Sequence, residues 1–583
     1  MKIFADLVWY FKEKKWMYLC GAVLLMCSSF MSMVPPYIVG VIVDDIRLDT
    51  LTGTNLMMWL VILLGSGLAA YGFGYGWRLL IFGSAINLAQ QLRDRLYQHF
   101  TNMSSKFFGR RRIGDLMAHS TNDVKAVQEA AGEGILMLVD SITMGAMVIV
   151  TMAVVIDWRL AIIALIPMPF MAWAISHYGS LLHKHFHKAQ EAFADLNDKV
   201  QENVSGVRVI KAFGEEQAEQ HSFREQSEDV VNKNISVAKV DALFDPTITL
   251  IVGLSYFLTL VFGAVFVVHQ TMTIGELTSF TLYLGQLVWP MLAFGLLFNI
   301  VERGRASYDR IHHLLQVKPD IVDRDNALDQ VPSGHISYDI RGFHYDADMP
   351  AALSDIHFAL AQGQTLGIVG RTGSGKSTLL KLLLREDDGI DGDIKIGGTS
   401  IYDYKVDRLR EAIGYVPQDH FLFSATVGEN IAFAHPDATR DEIIRAANIA
   451  HIHEDIMNFA DGYETVVGER GVTMSGGQKQ RISIARALLV NPEILVLDDA
   501  LSAVDARTEE GILASLKSHR QNKTTLISAH RLSAIQHADL IIVLDDGRII
   551  ERGTHESLMT DDRWYATMYR RQQLESFVAR GGM

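Results

Sequence analysis

The sequence predicts two domains of different fold class: an all-α domain that spans a membrane, followed by an α/β domain. Long apolar runs crowd the first ~315 residues, and a helix that crosses a bilayer needs about 20 such residues. The later residues instead alternate short β-like runs with helical stretches, which is typical of an α/β sheet. Residues 316–334 contain Lys318-Pro319 and Pro332-Ser333-Gly334, which predict a linker. We therefore place the two domains at 1–315 and 335–583.

Composition excludes several classes of protein. The chain has 583 residues, of which 49% are hydrophobic and 21% charged, with a formal net charge of −14. A disordered chain would have fewer apolar residues, and a single core rarely grows past about 300 residues. The acidic balance argues against bulk nucleic-acid binding. Two cysteines, Cys20 and Cys27, lie in one apolar run and form neither a disulfide framework nor a zinc motif.

Six apolar runs in the first domain predict six membrane spans. The first contains Pro35 and Pro36, which predict a kink. The charged residues Arg78, Asp140 and Asp245 are predicted near the inner ends of their spans. Asp140 is interpreted either as a cation site or as a solvated group where the helix leaves the lipid. The predicted spans are Trp16–Val43, Leu56–Ile81, Ile135–Ile156, Leu160–Ser180, Phe244–Val268 and Leu277–Ile300.

Basic residues in the connections predict the orientation of these spans. The N-terminal segment and the long segments 82–134 and 181–243 are rich in Lys, Arg and His, whereas the other connections are short, acidic or uncharged. Because Lys and Arg are retained on the cytoplasmic side, both termini are predicted to be cytoplasmic. The two long segments have a helical pattern and are predicted to extend the membrane helices into the cytoplasm.

A phosphate-binding loop is predicted in the second domain. The strand-like run 365–369 is followed by a G-x-x-x-x-G-K-S motif and then by a helical run, Thr378–Leu384. Glycines let backbone N–H groups turn toward phosphate oxygens, and the helix start adds its positive dipole end. In such loops the lysine reaches the β- and γ-phosphates and the serine holds Mg²⁺. The motif consists of Gly370, Arg371, Thr372, Gly373, Ser374, Gly375, Lys376 and Ser377, and Thr378 follows it.

A second, acidic strand is predicted to complete the nucleotide site. Four apolar residues, Ile494–Leu497, precede Asp498 and Asp499. A buried strand places Asp498 where it can face Mg²⁺, and Asp499 where a general base lies beside an attacking water. The two motifs therefore predict a site for nucleotide phosphates and Mg²⁺.

Between these motifs lies Met474-Ser475-Gly476-Gly477-Gln478, which opens a predicted helix at Lys479–Leu489. This ordered set resembles the ATP-binding cassette (ABC) transporters over nearly the whole chain. The resemblance implies an exporter-type half-transporter: an all-α six-helix transmembrane domain (type IV ABC exporter fold) followed by an α/β P-loop nucleotide-binding domain. It is nearest to the bacterial heterodimeric multidrug type (BmrC/BmrD-like and MdlA/MdlB-like), as the subunit with the degenerate catalytic acid.

The resemblance also implies roles for single residues. Tyr345 would stack on adenine, Gln418 would sense Mg²⁺ and the membrane domain, and His530 would act as the γ-phosphate switch. Ser475, Gly476, Gly477 and Gln478 would close over the ATP bound by a second chain.

Further segments are implied to transmit motion between the domains. They are a loop at Gly468–Gly471, a loop linking the two ATP sites at Ser502–Asp505, and short coupling helices near Arg112–Ser120 and Phe213–Gln220.

Asp499 departs from the family pattern, which has glutamate at this position. The aspartate carboxylate is one methylene shorter, and a misplacement of about 1 Å can cost on the order of 100-fold in rate. We therefore predict a weakly hydrolytic site in this chain. The signature segment is complete, so a partner half-transporter with glutamate would carry an active site, which predicts a heterodimer.

The predicted function is ATP-driven export of amphipathic drugs or other hydrophobic compounds across the bacterial cytoplasmic membrane. The expected partners are a second half-transporter, the lipid bilayer and a small amphipathic substrate, with no nucleic acid. Two alternatives stay open: a lipid or peptide exporter on the same scaffold, and a regulatory membrane ATPase that does not pump.

Overall fold

A computed structural model of the chain describes residues 2–346, 348–468 and 474–579. It divides into two compact units, which are treated separately below. The first unit comprises Met1–Thr101 and Ile113–Val317, and the second comprises Asn102–Arg112 and Lys318–Met583. A short segment inside the first domain of the sequence thus packs with the second unit.

The first unit is built of helices. Several are much longer than a bilayer requires, including the 49 residues of Gly53–Thr101. π-Helical segments at His119–Asp123, Ala130–Gly134 and Thr151–Asp157 lie between shorter α-helices. The α-helices are Lys2–Asp6, Val8–Glu13, Lys15–Arg47, Gly53–Thr101, Ile113–Ala118, Val124–Glu129, Ile135–Val150, Trp158–Leu165, Met168–Ser205, Val207–Phe213, Glu216–Asp241, Phe244–Val268 and Ile274–Leu315.

Five helical stretches in the described part of the chain are long and apolar enough to cross a membrane, against the six predicted. The predicted fourth span, Leu160–Ser180, is not among them because it is interrupted at Ile166 and Pro167, between two helices. Asp157 separates it from the preceding run: its backbone is extended and its carboxylate accepts the N–H groups of the next helix. The count of six therefore stays a prediction. The five stretches are Lys15–Arg47, Gly53–Thr101, Ile113–Leu165, Glu216–Val268 and Ile274–Leu315.

Helix Lys15–Arg47 continues through both of its prolines. Pro36 has no N–H, so the carbonyl of Ser32, four residues earlier, loses its partner within the helix. Gln286 of helix Ile274–Leu315 fills this position, since its Nε2 donates to that carbonyl at 2.9 Å. The last long helix therefore satisfies a backbone group that water would satisfy outside a membrane.

The depth of Asp140 differs from the prediction. Its carboxylate lies near the side chains of Ser29 and Trp289, and its helix packs against Leu25 through Val139 and against Pro290 at Gly145. Ser29 is about 20 Å of helix from either end of the predicted span Trp16–Val43, and Trp289 is near the middle of Leu277–Ile300. The prediction that Asp140 lies near an inner end was wrong, because counting along its own helix ignored the two helices packed beside it.

Two helices approach each other closely at Gly275, near the start of the last long helix. A Cβ there would lie 2.0 Å from the Gly40 carbonyl oxygen and 2.5 Å from the Asp44 carboxylate. We expect Gly275→Ala to cost about 1–3 kcal/mol of stability, as overpacked cores do, and to lower the thermal midpoint in detergent. Gly253→Ala is the matched control, because no atom lies within 4 Å of its Cβ position. Equal midpoints for the two variants would contradict this packing.

The second unit contains ten strands among its described residues. A four-stranded antiparallel sheet has the order β2-β1-β4-β5, and a six-stranded sheet has the order β10-β9-β3-β8-β7-β6. In the larger sheet every pair except β9–β10 is parallel. The strands are β1 Ile336–Phe343, β2 Leu353–Leu360, β3 Thr365–Gly370, β4 Asp391–Ile396, β5 Thr399–Ser400, β6 Ile413–Val416, β7 Ile494–Asp498, β8 Thr524–Ser528, β9 Leu540–Asp545 and β10 Arg548–Gly553.

Helices cover the larger sheet and bury its strands. All five residues of β7 are buried, as expected for a strand in a parallel sheet covered on both faces. Because parallel strands end at one edge, β3, β6, β7 and β8 bring their following loops together. The α-helices of this unit are Ser105–Gly109, Lys376–Leu383, Val406–Glu411, Val427–Ile431, Arg440–Ile449, His453–Met457, Gly476–Leu489, Ala506–His519, His555–Asp561 and Trp564–Ala579.

Candidate nucleotide site

The predicted phosphate loop connects β3 to a helix. The strand ends at Gly370, and the helix begins at Lys376. Gly373 and Gly375 have φ angles of +83° and +99°, which disfavour any residue with a side chain. A Cβ at Gly375 would also lie 2.7 Å from the Leu353 side chain. These glycines shape a loop whose backbone N–H groups, with those of the first helical turn, suit an anion.

Lys376 lies over this loop and is only 7% exposed. Its Nζ donates to the carbonyl oxygens of Gly370 and Arg371, both at 2.9 Å. Burial lowers the pKa of Lys376, while the nearby Asp499 and Asp498 carboxylates act against that shift. A phosphate oxygen would be a stronger, charged acceptor for this amine than either carbonyl.

Asp498 ends β7 and is 1% exposed. Its Oδ1 accepts the hydroxyl of Ser377 at 3.0 Å and the hydroxyl of Ser528 at 2.7 Å. The two residues predicted to hold Mg²⁺, Ser377 and Asp498, are thus in direct contact. A hydroxyl and a carboxylate are the hard oxygen ligands that Mg²⁺ prefers, so these residues fit the ion. Sequence reasoning missed Ser528 as the partner of Asp498, because the two residues meet only when β7 pairs with β8.

Asp499 is the first residue after β7 and has a φ of +50°. This left-handed conformation favours Asp and Asn among residues with side chains. Its N–H donates to the Ser528 carbonyl at 3.0 Å, and its own carbonyl accepts the Ser502 hydroxyl at 3.0 Å. The backbone at this position is therefore held on two sides, so the reach of the carboxylate depends on the length of the side chain.

The remaining predicted site residues are at or near the same edge of the sheet. The hydroxyl of Tyr345 pairs with Thr378 Oγ1 at 2.9 Å, which places the aromatic ring beside the first turn of the phosphate-loop helix. Gln418 follows β6 and His530 follows β8, and both are exposed. The structure therefore brings Tyr345, the loop and Asp498 together, and leaves Gln418 and His530 free to meet a ligand or another chain.

The signature segment Ser475–Gln478 starts helix Gly476–Leu489 with a capping box. Ser475 Oγ accepts the Gln478 N–H at 3.3 Å, and Gln478 Oε1 accepts the Ser475 N–H at 3.0 Å. Gly477 has no room for a side chain, because a Cβ would lie 2.9 Å from the Ala503 carbonyl oxygen. Among the hydrogen bonds of the described residues, none joins this segment to residues 370–378.

A short helix at Ser105–Gly109 contacts the loop that carries Tyr345. Lys106 Nζ donates to the Tyr345 carbonyl at 2.9 Å, and the Arg110 guanidinium pairs with Asp346. Sequence reasoning missed these contacts, although residues 106–111, with one lysine, two phenylalanines and two arginines, mark an unusual connection.

The first coupling helix was predicted near Arg112–Ser120, and this position was wrong. The segment that packs with the second unit is Asn102–Arg112, because the following residues Ile113–Ala118 start a helix of the first unit. The second segment, Phe213–Gln220, contains the end of one helix and the start of another, and its role stays a prediction. The predicted loop Gly468–Gly471 lies outside the described residues except for Gly468.

His420, two residues after Gln418, is half-buried. Both of its ring nitrogens are shielded from solvent and have no hydrogen-bond partner among the described residues. Burial lowers the pKa of His420 to about 4, with Asp419 acting against the shift. An unfolded histidine titrates near 6.5, so the unfolded chain binds a proton that the folded chain rejects. We expect stability to be full above pH 6.5 and to fall as the pH drops toward 4.

His420→Gln tests this pH dependence. The variant is expected to show a smaller fall of the thermal midpoint between pH 7 and pH 5 than the wild-type chain. The same substitution at the exposed His537 is expected to leave the fall unchanged. An identical fall in wild type and His420→Gln would show that His420 does not control it.

Two family models match the chain: "ABC transporter transmembrane region" at residues 18–291 and "ABC transporter" at residues 353–502. The chain is 46% identical over 580 residues to the probable multidrug resistance ABC transporter ATP-binding/permease protein YheI of Bacillus subtilis (strain 168), covering 100% of this chain and 99% of that protein. It is also 46% identical over 576 residues to the multidrug resistance-like ATP-binding protein MdlA of Escherichia coli (strain K12), covering 99% and 98%.

A solved structure of a bacterial Atm1-family ABC exporter with ATP bound is similar in fold. It superposes with a TM-score of 0.78 at 27% identity and covers 95% of this chain and 99% of that one. Full-length relatives and a shared exporter fold agree with the phosphate loop and the acidic strand. The chain belongs to the ABC transporter family, as an exporter half-transporter of the type IV fold whose ATP hydrolysis is coupled to transport.

Proposed function

We propose that this chain is one half of a heterodimer that exports amphipathic drugs or other hydrophobic compounds across the bacterial cytoplasmic membrane. The observation that carries the heterodimer is Asp499, a short acid at the position of the catalytic glutamate, in a chain whose signature segment is complete. The multidrug names of YheI and MdlA support the substrate class.

The proposed organisation has a membrane domain at 1–315 with six spans, a linker at 316–334 and a nucleotide-binding domain at 335–583, with both termini in the cytoplasm. Asp157 caps the start of a new helix, Trp158–Leu165. This break supports counting Leu160–Ser180 as a span separate from the preceding one.

In the proposed site, residues Gly370–Thr378 and Tyr345 bind ATP, and Ser377, Asp498 and Gln418 hold Mg²⁺. Asp499 is the base that orients water, His530 is the γ-phosphate switch, and Gln418 senses Mg²⁺ and the membrane domain. The contact between Ser377 and Asp498 and the position of Lys376 over the loop support this arrangement. Ser475–Gln478 serve the partner's ATP, which fits their lack of hydrogen bonds to this chain's own phosphate loop.

Reconstitution in lipid vesicles tests this proposal. With its partner half-transporter, the chain is expected to drive ATP-dependent ethidium accumulation, and alone it is expected to do so poorly. Full ATPase and ethidium transport by the isolated chain would contradict the heterodimer. Intact ATPase of the pair without any ethidium movement would contradict drug export and favour a lipid or peptide cargo or a non-pumping regulatory ATPase.

A further inference from the structure

The carboxylate of Asp140 is a charged group within the apolar length of the membrane helices. The adjacent Val139 packs in one apolar cluster with Leu25 of the first long helix, and a Cβ at Gly145 would lie 3.8 Å from Pro290 of the last. Asp140 therefore lies where three helices meet, near Ser29 and Trp289. None of the ion pairs in the described part of the chain includes Asp140. Ionisable residues at such depth either pair with one another or mark the path of a substrate.

Polar side chains on the two neighbouring helices are largely committed to other partners. Ser29 donates its hydroxyl to the Leu25 carbonyl at 3.0 Å, which leaves it without a second hydrogen to give. On the last long helix, Ser279 and Tyr283 donate to the Pro36 and Met33 carbonyls at 2.9 and 2.7 Å. Their donors are used up in holding two helices together.

An unused acceptor lies about one turn from Trp289 on the last long helix. Gln286 gives its Nε2 to the Ser32 carbonyl, but its Oε1 is buried with no hydrogen-bond partner in the described residues. Gln286 and Trp289 are three residues apart and so share one helix face. A carboxylate without an ion pair and an amide oxygen without a donor, on adjacent helices, suit a ligand that brings positive charge or N–H donors.

The surroundings of Asp140, including Trp289, favour an organic cation over a metal ion as the ligand. More than half of Trp289 is exposed, and an indole face attracts an organic cation. In the described residues no group of three His, Cys, Asp or Glu side chains could hold a metal. The surroundings combine one acid, one aromatic ring and apolar helix surface.

We propose that Asp140 is the charge-selecting residue of the transport site: it binds the cationic centre of an amphipathic substrate, while Trp289 contacts the substrate's apolar body. This proposal rests on the proposed export function and adds the residue that sets its preference for cations. The site discriminates against neutral compounds of the same shape, because they leave the buried carboxylate without a partner.

Binding of two matched probes tests this proposal. Tetraphenylphosphonium, a permanent organic cation, and its neutral isostere tetraphenylmethane are bound to the assembled transporter in nanodiscs, with empty nanodiscs as blanks. Asp140→Asn is expected to weaken tetraphenylphosphonium binding by about thirtyfold or more, which is typical when one member of a buried charge pair is removed. Tetraphenylmethane binding is expected to stay unchanged. Asp140→Glu is expected to retain the cation within a few-fold, and Asp245→Asn, which removes an acid elsewhere in the apolar helices, is expected to change neither.

Either of two outcomes would overturn the proposal: equal cation affinity in wild type and Asp140→Asn, or a parallel loss of both probes, which would indicate a structural role. Vesicle transport separates this proposal from the export function. A transporter that exports both probes equally well with Asn at 140 contradicts only the charge-selecting role. A transporter that binds tetraphenylphosphonium through Asp140 but transports neither probe supports the proposed cation site and contradicts drug export.

Discussion

Replacing Asp499 with glutamate is expected to raise ATP turnover at this chain's own nucleotide site by up to about 100-fold. The backbone of Asp499 is held by hydrogen bonds with Ser528 and Ser502, so the strand cannot easily shift to bring a short carboxylate forward. One added methylene supplies the missing reach. Turnover is measured with the assembled transporter, in which the partner's catalytic glutamate has been changed to glutamine so that only this site contributes.

The substitution also has a cost that a control can isolate. The φ of Asp499 is +50°, a conformation that suits aspartate better than glutamate, so a small loss of stability is expected alongside the gain in rate. Asp49 has a φ of +58° in the turn after helix Lys15–Arg47, in the first unit, whereas the phosphate loop belongs to the second. Asp49→Glu should show the same small loss with no gain in ATPase. Unchanged turnover in Asp499→Glu would remove side-chain length as the reason for a weak site.

Lys376→Met is expected to weaken ATP binding at this chain's phosphate loop by about thirtyfold or more. The Lys376 amine is largely buried over the loop, and removing one partner of a buried charged contact typically costs 2–5 kcal/mol. Methionine keeps most of the volume of the side chain, so the loop should retain its shape. Binding is measured with a fluorescent ATP analogue on the full-length chain in nanodiscs.

Lys395→Met serves as the matched control, since Lys395 is exposed on β4 and is expected to leave ATP affinity unchanged. A fall in thermal midpoint for Lys376→Met that accounts for the lost binding would point to misfolding instead. Unchanged ATP affinity together with an unchanged midpoint would contradict the assigned role of Lys376.

Much of the candidate site could be predicted from local patterns in the sequence. Strand β3, the glycines with positive φ and the helix that starts at Lys376 follow one another without a gap, so their chemistry is readable within fifteen or so residues. The buried strand that ends at Asp498 was predictable for the same reason, since four consecutive apolar residues before two acids have few other interpretations. The signature helix starts at Gly476 instead of Lys479, a small difference because its capping box includes the signature residues.

Long-range contacts were beyond such reasoning. The segment that packs with the second unit, Asn102–Arg112, lies before the predicted coupling helix. Only folding reveals that Lys106 reaches the Tyr345 carbonyl, 239 positions along the chain. The division of the apolar run at Asp157 depends on a backbone conformation that apolar length does not reveal.

The sequence by itself determined that this chain has apolar helices before an α/β domain, and where the phosphate loop and the acidic strand lie, because periodicity and motif spacing act over neighbouring residues. Only the tertiary structure decided that Ser528 holds Asp498, that Gln286 satisfies the carbonyl freed by Pro36, and that Asp140 lies beside Ser29 and Trp289. Those contacts join residues from different helices and strands, and packing selects them for the whole fold at once.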